Sequence, residues 1–143
     1  MLSFDTNIAV YAANSASPHH QPAVAFIQSM ATRRDVAICE LILVELYLKL
    51  RNEKIFSHPL SAEKAASVCQ AYRNNRAWAL IESAPVMDEV WAQAGHKAFP
   101  FRRIIDLRLG FTLRHHGITE FATSNEKDFH GLGFSKVWNP LAS

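Results

Sequence analysis

Short, mostly apolar runs alternate along the chain with longer stretches that are bounded by cap and turn residues. The short runs predict buried strands, and the longer stretches predict helices. Strands that alternate with helices indicate a parallel sheet with helices on both faces. The sequence therefore predicts an α/β fold with a central parallel sheet of four to five strands, at residues 2–5, 35–39, 77–83, 118–124 and 135–140.

Serine, proline and glycine mark the ends of the predicted helices. Ser61 is a cap-type residue before an alanine-rich stretch, and Pro22 is compatible with the first turn of its helix. Gly117 follows the last long helix, where glycine is favoured. The predicted helices are residues 6–13, 21–34, 40–52, 61–75, 85–95 and 102–117, and residues 125–133 are a loop or a short helix.

The length and composition predict one soluble domain over residues 1–143. Hydrophobic residues make up 49% and charged residues 20%, which excludes wholesale disorder. No apolar run approaches the ~20 residues of a membrane helix. The start, "MLSFDTN", lacks the basic region of a secretory signal, and Cys39 and Cys69 form no CxxC pair. We therefore expect a cytoplasmic protein with no membrane contact.

Several common site motifs are absent from the sequence. There is no HExxH, no zinc-type spacing of Cys and His, no GxGxxG and no P-loop. These absences argue against a zinc, dinucleotide or nucleoside triphosphate site. The net charge of +2 permits a polyanionic partner but does not require one.

The stretch "LILVELYLKL" places Glu45 in an otherwise largely apolar predicted helix. One interpretation is an ordinary surface pair with Lys49, four residues later. The other is a functional carboxylate, because an acid beside an apolar core is costly unless it is paired or binds a metal.

Further acids lie where a parallel sheet would bring them together. Asp5 closes the first predicted strand, Asp106 lies in a helix before the fourth strand, and Asp128 follows that strand. Ligand sites of such sheets lie beyond the carboxyl ends of the strands. Each residue also has a structural interpretation: a helix cap for Asp5, a surface pair with Arg102 or Arg103 for Asp106, and turn chemistry for Asp128 and Asn125.

Crowded carboxylates repel one another and raise one another's pKa. A hard divalent cation such as Mg²⁺ or Mn²⁺ removes that penalty and takes oxygen ligands. Such a site suits phosphoryl chemistry, because the ion polarises the phosphate and activates water.

Four segments follow one another in a recognisable order: "FDTNIAVYA", "LILVELYLKL", "RRIIDLRLGFTLRHHGITEFATSNEKDF" and "KVWNPL". In these segments the chain resembles PIN-domain ribonucleases, in particular the toxins of VapBC-type toxin–antitoxin pairs. The first is similar to the opening strand of the family, and the second to its glutamate-bearing helix. The third resembles the helix of the third acid and the strand after it, and the fourth resembles a common ending. The order and spacing of these segments are more specific than any one of them.

The resemblance implies a Rossmann-like PIN fold and a ribonuclease that depends on Mg²⁺ or Mn²⁺. It implies that Asp5, Glu45 and Asp106 are the metal-binding acids. Many members carry Asp where this chain has Asn125, so either Asn125 or the nearby Asp128 completes the site. Asn7 and Thr123 match polar positions that help to arrange the site.

The resemblance further implies an RNA substrate, a cognate antitoxin and a homodimer. Two other interpretations stay open: a PIN-fold binding module with weak or no catalysis, and a solitary RNA-processing nuclease. A phosphatase or a DNA nuclease would use the same acids. Arg102, Arg103, Arg108 and Lys127 are candidates for phosphate contact, and Lys54, His58 and the segment "KAFPFRR" are candidates for lining the substrate path.

Overall fold

Five short strands lie at the centre of the computed structural model, which describes residues 1–100 and 102–142. Each strand is only three residues long, and every pairing between strands is parallel. The strands are β1 (Leu2–Phe4), β2 (Ala37–Cys39), β3 (Ala79–Ile81), β4 (Glu120–Ala122) and β5 (Lys136–Trp138).

The five strands pair as two ladders. One ladder has the order β1-β4-β5, and the other joins β2 to β3. A single parallel bridge between Leu2 and Val36 connects the ladders, beside a bond of 2.7 Å from the Leu2 N–H to the Asp35 carbonyl. The predicted parallel α/β fold is confirmed. The strands, however, form two separate ladders, one of three strands and one of two, rather than one continuous sheet.

Seven helices cover these strands in the part of the chain that the structure describes. All six long predicted helices are present, and residues 126–129 form the short one. The predicted ends extend too far in several places; residues 31–34, for example, lie beyond the second helix. The helices are α1 (Thr6–Ala13), α2 (His20–Met30), α3 (Glu40–Leu50), α4 (Ala62–Arg73), α5 (Met87–Ala94), α6 (Arg103–His115) and α7 (Glu126–Phe129). None of them is long and apolar enough to cross a membrane.

An aromatic cluster anchors β1 in the core. Phe4 is fully buried, and its ring packs edge-on against Trp78 at 5.5 Å and Phe26 at 6.0 Å between ring centroids. Burying a side chain of this size contributes roughly 1.5–3 kcal/mol. This packing therefore stabilises the position of β1, the strand that Asp5 directly follows.

The chain reverses its direction of travel across the sheet between β1 and β4. From β1 it proceeds to β2 and β3 on one side, and it then returns to place β4 and β5 on the other. The crevice at the carboxyl ends of two such strands is the usual ligand site of an open α/β sheet.

Helix α6 packs closely on the segment that follows α7. A Cβ atom on Gly110 would lie 2.5 Å from Cδ1 of Leu132, so an alanine here would require the Leu132 side chain to shift. The first turn of the same helix carries Asp106. The helix that presents this acid therefore packs directly against the segment after α7.

Gly117 ends α6 with a positive φ of 79°, as its position in the sequence predicts. We expect Gly117→Ala to lower the free energy of unfolding by about 1 kcal/mol, because an L side chain is strained in this conformation. Gly95→Ala is the matched control, since Gly95 follows α5 with a φ of −77° and its nearest contact to a new Cβ is 3.5 Å. Thermal unfolding of both variants tests this, and equal effects would contradict it.

Candidate active site

Asp5 lies at the point where β1 and β4 meet. Its Oδ1 accepts a hydrogen bond of 2.7 Å from the backbone N–H of Thr6, and its Oδ2 accepts one of 2.7 Å from the hydroxyl of Thr123. The residue is 7% exposed, and burial raises its pKa despite these two bonds. Asp5 is therefore the helix cap that the structural interpretation expected and is also a buried carboxylate of the sheet crevice.

Glu45 approaches Asp5 from α3. Its Oε2 accepts a hydrogen bond of 3.2 Å from the hydroxyl of Thr6, which is fully buried. Burial raises the pKa of Glu45, and the negative charge of Asp5 adds to that rise. Sequence reasoning did not single out Thr6, although its place directly after the capping acid was a signal.

Asp106, in the first turn of α6, completes an electrostatically coupled group. Burial, followed by the charges of Asp5, Asp128 and Glu45, raises its pKa to about 6. Burial and nearby like charges both favour the neutral form of a carboxyl group. The four acids, which come from four separate segments of the chain, therefore face a common region.

The segment after β4 carries Asn125 and Asp128, which differ in their exposure to solvent. The Thr123 hydroxyl accepts a hydrogen bond of 3.0 Å from the Asn125 N–H, and the Asp128 N–H donates to the Asn125 carbonyl at 3.1 Å. The Asn125 side chain is exposed, whereas Asp128 is half-buried and its charge raises the pKa of Asp5. Of the two candidates for the fourth position, Asp128 is therefore the less exposed.

Lys49 does not form the surface pair with Glu45 that the helical spacing allowed. Its Nζ donates a hydrogen bond of 2.8 Å to Oδ1 of Asn7, on α1. Its positive charge nevertheless lowers the pKa of Asp5, Glu45 and Asp106. Sequence reasoning identified this lysine only as a possible surface partner and missed its place beside the acids.

The four acids Asp5, Glu45, Asp106 and Asp128, here called the acidic group, offer the kind of ligand that a hard cation prefers. All of its donors are oxygens. Burial and then like charges raise the pKa of three of its members, and a divalent ion would relieve the repulsion between those charges. Among the described residues, no three His, Cys, Asp or Glu side chains are close enough together to enclose a metal ion by themselves. Mg²⁺ commonly keeps several waters, so the oxygen donors fit an ion whose shell includes water.

Most of the predicted phosphate-binding side chains lie on the elements that carry the acids. Arg103 is half-buried and Arg108 is exposed on α6, and Lys127 is exposed on α7. Arg102, directly before α6, is exposed, and Lys54 and His58 are exposed in the segment after α3. Phe101, within the segment "KAFPFRR", lies outside the described residues.

Comparison with known proteins agrees with the fold. Residues 3–134 match the PIN domain family. The chain is 53% identical over 143 residues to "Ribonuclease VapC24" of Mycobacterium tuberculosis, in strains CDC 1551 / Oshkosh and ATCC 25618 / H37Rv, with 100% of this chain and 99% of each relative covered.

Two solved structures share the architecture at 17% sequence identity, a level at which the likeness concerns the fold alone. They are "Crystal Structure of FitAcB from Neisseria gonorrhoeae", with a TM-score of 0.63, and "Structure of FitAB bound to IR36 DNA fragment", with a TM-score of 0.62. Each covers 100% of this chain, and the matches span 100% and 97% of those chains, respectively. The resemblance predicted from the sequence is confirmed: the chain belongs to the PIN-domain family, in the group of VapC ribonucleases.

Proposed function

We propose that this chain is a metal-dependent endoribonuclease, the toxin of a VapBC-type pair, which hydrolyses RNA phosphodiester bonds. The relationship to a VapC ribonuclease over the full chain supports the activity. The observation that carries the site is the convergence of four acids from distant parts of the sequence: burial, and then the charges of the other three acids, raises the pKa of Asp106 to about 6. Structural acids on a solvated surface would not be coupled in this way.

In this proposal Asp5, Glu45 and Asp106 hold Mg²⁺ or Mn²⁺, and Asp128 is the fourth catalytic acid. When bound, the ion supplies positive charge that polarises the phosphate and lowers the pKa of water. Thr123, Asn7 and Asn125 arrange the ligands.

The protein contributes orientation through fixed hydrogen bonds. The Thr123 hydroxyl and the Thr6 N–H hold both oxygens of Asp5, and the Thr6 hydroxyl directs Glu45 towards it. Each bonded carboxylate oxygen keeps a further lone pair for a cation. Asp5 and Glu45 are therefore oriented before any ligand arrives, which limits the reorganisation that binding requires.

The partners in this proposal are RNA, a cognate antitoxin and a second copy of the chain, in the cytoplasm. Val44 and Leu48, one turn apart on α3, are 56% and 62% exposed. Beside them a groove of about 280 Å³ runs between α3 and α4, lined by Glu40, Leu43, Val44, Tyr47, Ala66, Cys69, Gln70 and Arg73. An exposed apolar face of this kind suits a protein interface, and we assign it to the homodimer. The acidic site itself would attract Arg or Lys from an antitoxin tail.

We expect Asp106→Asn to abolish RNA cleavage, because the amide removes one of the charges that hold the ion. Asp88→Asn is the matched control, since Asp88 is an exposed acid in the first turn of α5. Labelled RNA, DNA and a phosphomonoester are incubated with each protein in Mg²⁺, Mn²⁺ or EDTA. Full RNA cleavage by Asp106→Asn would refute the assigned site, and cleavage of DNA or phosphomonoester instead of RNA would refute the substrate class.

The same variant should change the dependence of stability on pH in the metal-free protein. The folded-state pKa of Asp106, about 6, exceeds its ordinary value of 3.8, so the folded state holds more protons between these values. Stability of the natural protein therefore falls as pH rises through this window. We expect the melting temperatures in EDTA to be similar near pH 4 and Asp106→Asn to become the more stable protein by pH 7. A constant difference across this range would contradict the coupling.

The exposed face of α3 gives a test of self-association. We expect the double variant Val44→Ser, Leu48→Ser to weaken the homodimer, because burial of both apolar side chains would be lost. Trp91→Ser is the control, since Trp91 is 61% exposed on α5. Sedimentation equilibrium measures each dissociation constant. Dissociation caused only by Trp91→Ser would show that the interface lies on α5 instead. A natural protein that remains monomeric at high concentration would refute the homodimer.

A further inference from the structure

Two hydrogen bonds join α1 to α3 beside the acidic group. The Thr6 hydroxyl bonds Glu45 at 3.2 Å, and Lys49 bonds Asn7 at 2.8 Å. Thr6 and Asn7 are consecutive, whereas Glu45 and Lys49 are one helical turn apart on one face of α3. The acid and the base of α3 thus bind neighbouring residues of α1 and do not bind each other.

This arrangement leaves Lys49 close to the acids without an ion pair. Its charge acts on Asp5, Glu45 and Asp106. Yet the ion pairs found in the described part of the chain join Arg33 to Asp35 and Arg73 to Glu40 and Glu82, and none includes Lys49. A half-buried ammonium group next to carboxylates would ordinarily pair with one of them. The neutral oxygen of Asn7 is what Lys49 binds instead.

We propose that Lys49 is a positioning residue that acts as a resident counter-ion of the acidic site. Its hydrogen bond to Asn7 holds the ammonium group near the carboxylates but prevents it from forming an ion pair with any of them. The inference rests on the proposed metal-dependent function. Lys49 offsets part of the repulsion between the acids when no metal is bound. Because Asn7 holds its ammonium group aside, the carboxylate oxygens remain available to a divalent cation, at the cost of some repulsion between that cation and Lys49.

The first consequence concerns the affinity for Mn²⁺ alone, without RNA. Lys49→Met keeps most of the aliphatic stem and removes the charge, so Mn²⁺ should bind roughly tenfold more tightly, since a nearby unit of positive charge no longer opposes the ion. Titration calorimetry at pH 8 measures the dissociation constant. The metal-free variant should melt at a lower temperature than the natural protein, and its melting temperature should rise more on addition of Mn²⁺.

A purely structural role for Lys49 predicts a different result. Loss of packing or of one hydrogen bond would lower the melting temperature equally with and without Mn²⁺ and would leave the affinity unchanged. Lys49→Gln repeats the loss of charge with a side chain that can still donate to Asn7, and it decides the question if Lys49→Met does not fold. Lys64→Met, which removes an exposed charge from α4, controls for net charge and should leave Mn²⁺ binding unaltered.

The second consequence concerns Asn7. Asn7→Ala should weaken Mn²⁺ binding, because the released ammonium group can then pair with the carboxylates and compete with the ion. In the Lys49→Met background the same change should have little effect, since there is no ammonium group to hold. If Asn7 were itself a metal ligand, Asn7→Ala would weaken binding by the same factor in both backgrounds, which the double-mutant cycle detects.

The outcomes separate this inference from the proposed function. Tighter Mn²⁺ binding by Lys49→Met and Lys49→Gln, with weaker binding by Asn7→Ala that depends on Lys49, supports the counter-ion role. Unchanged or weaker binding by both Lys49 variants, while the natural protein binds Mn²⁺, overturns this role and leaves the proposed ribonuclease intact. Failure of the natural protein to bind Mn²⁺ or Mg²⁺ at all overturns the metal-dependent function and the inference with it.

Discussion

The bond between Asp5 and Thr123 is the contact on which the site depends. It joins the carboxyl ends of β1 and β4, the two strands between which the order of the sheet reverses. The Asp5 N–H also donates to the Ala122 carbonyl at 2.9 Å, so both the backbone and the side chain of Asp5 connect the end of β1 to the end of β4. Because Asp5 also caps α1, this one carboxylate links the strand ends to the start of the helix that carries Thr6 and Asn7.

Repulsion between the acids destabilises this arrangement. Hydrogen bonds and the positive charge of Lys49 offset part of that repulsion. Hydrogen bonds to Asp5 and Glu45 favour their charged forms, whereas burial raises the pKa of both. Asp106 shows the balance most clearly, since burial and three like charges outweigh the attraction of Lys49. Packing elsewhere in the core, such as that of Phe4 against Trp78, stabilises the fold that holds these acids. Active sites commonly carry a cost in stability, because function and stability compete.

The placement of the acids also explains why a small domain can hold them with very short strands. The strands that pair at the crevice contribute one end each, and the helices α3 and α6 present Glu45 and Asp106 from outside the sheet. Close packing of Gly110 on Leu132 keeps α6 near the segment that carries Asp128. Helices, which hold side chains on rigid backbones, thus supply precision that three-residue strands alone would not.

The sequence by itself determined the order of strands and helices, the candidate acids and the family. Local signals account for this: short apolar runs, the cap residues Ser61 and Gly117, and a carboxylate within an apolar helix at Glu45. The spacing of acids along a chain says which elements carry them but not which atoms meet. Only the tertiary structure decided that Thr6 bonds Glu45, that Lys49 turns to Asn7, that Asp128 is less exposed than Asn125, and that the strands pair as ladders of three and two. The physical reason is that these contacts join residues of different elements, and their geometry depends on how helices pack over the sheet rather than on any local preference of the chain.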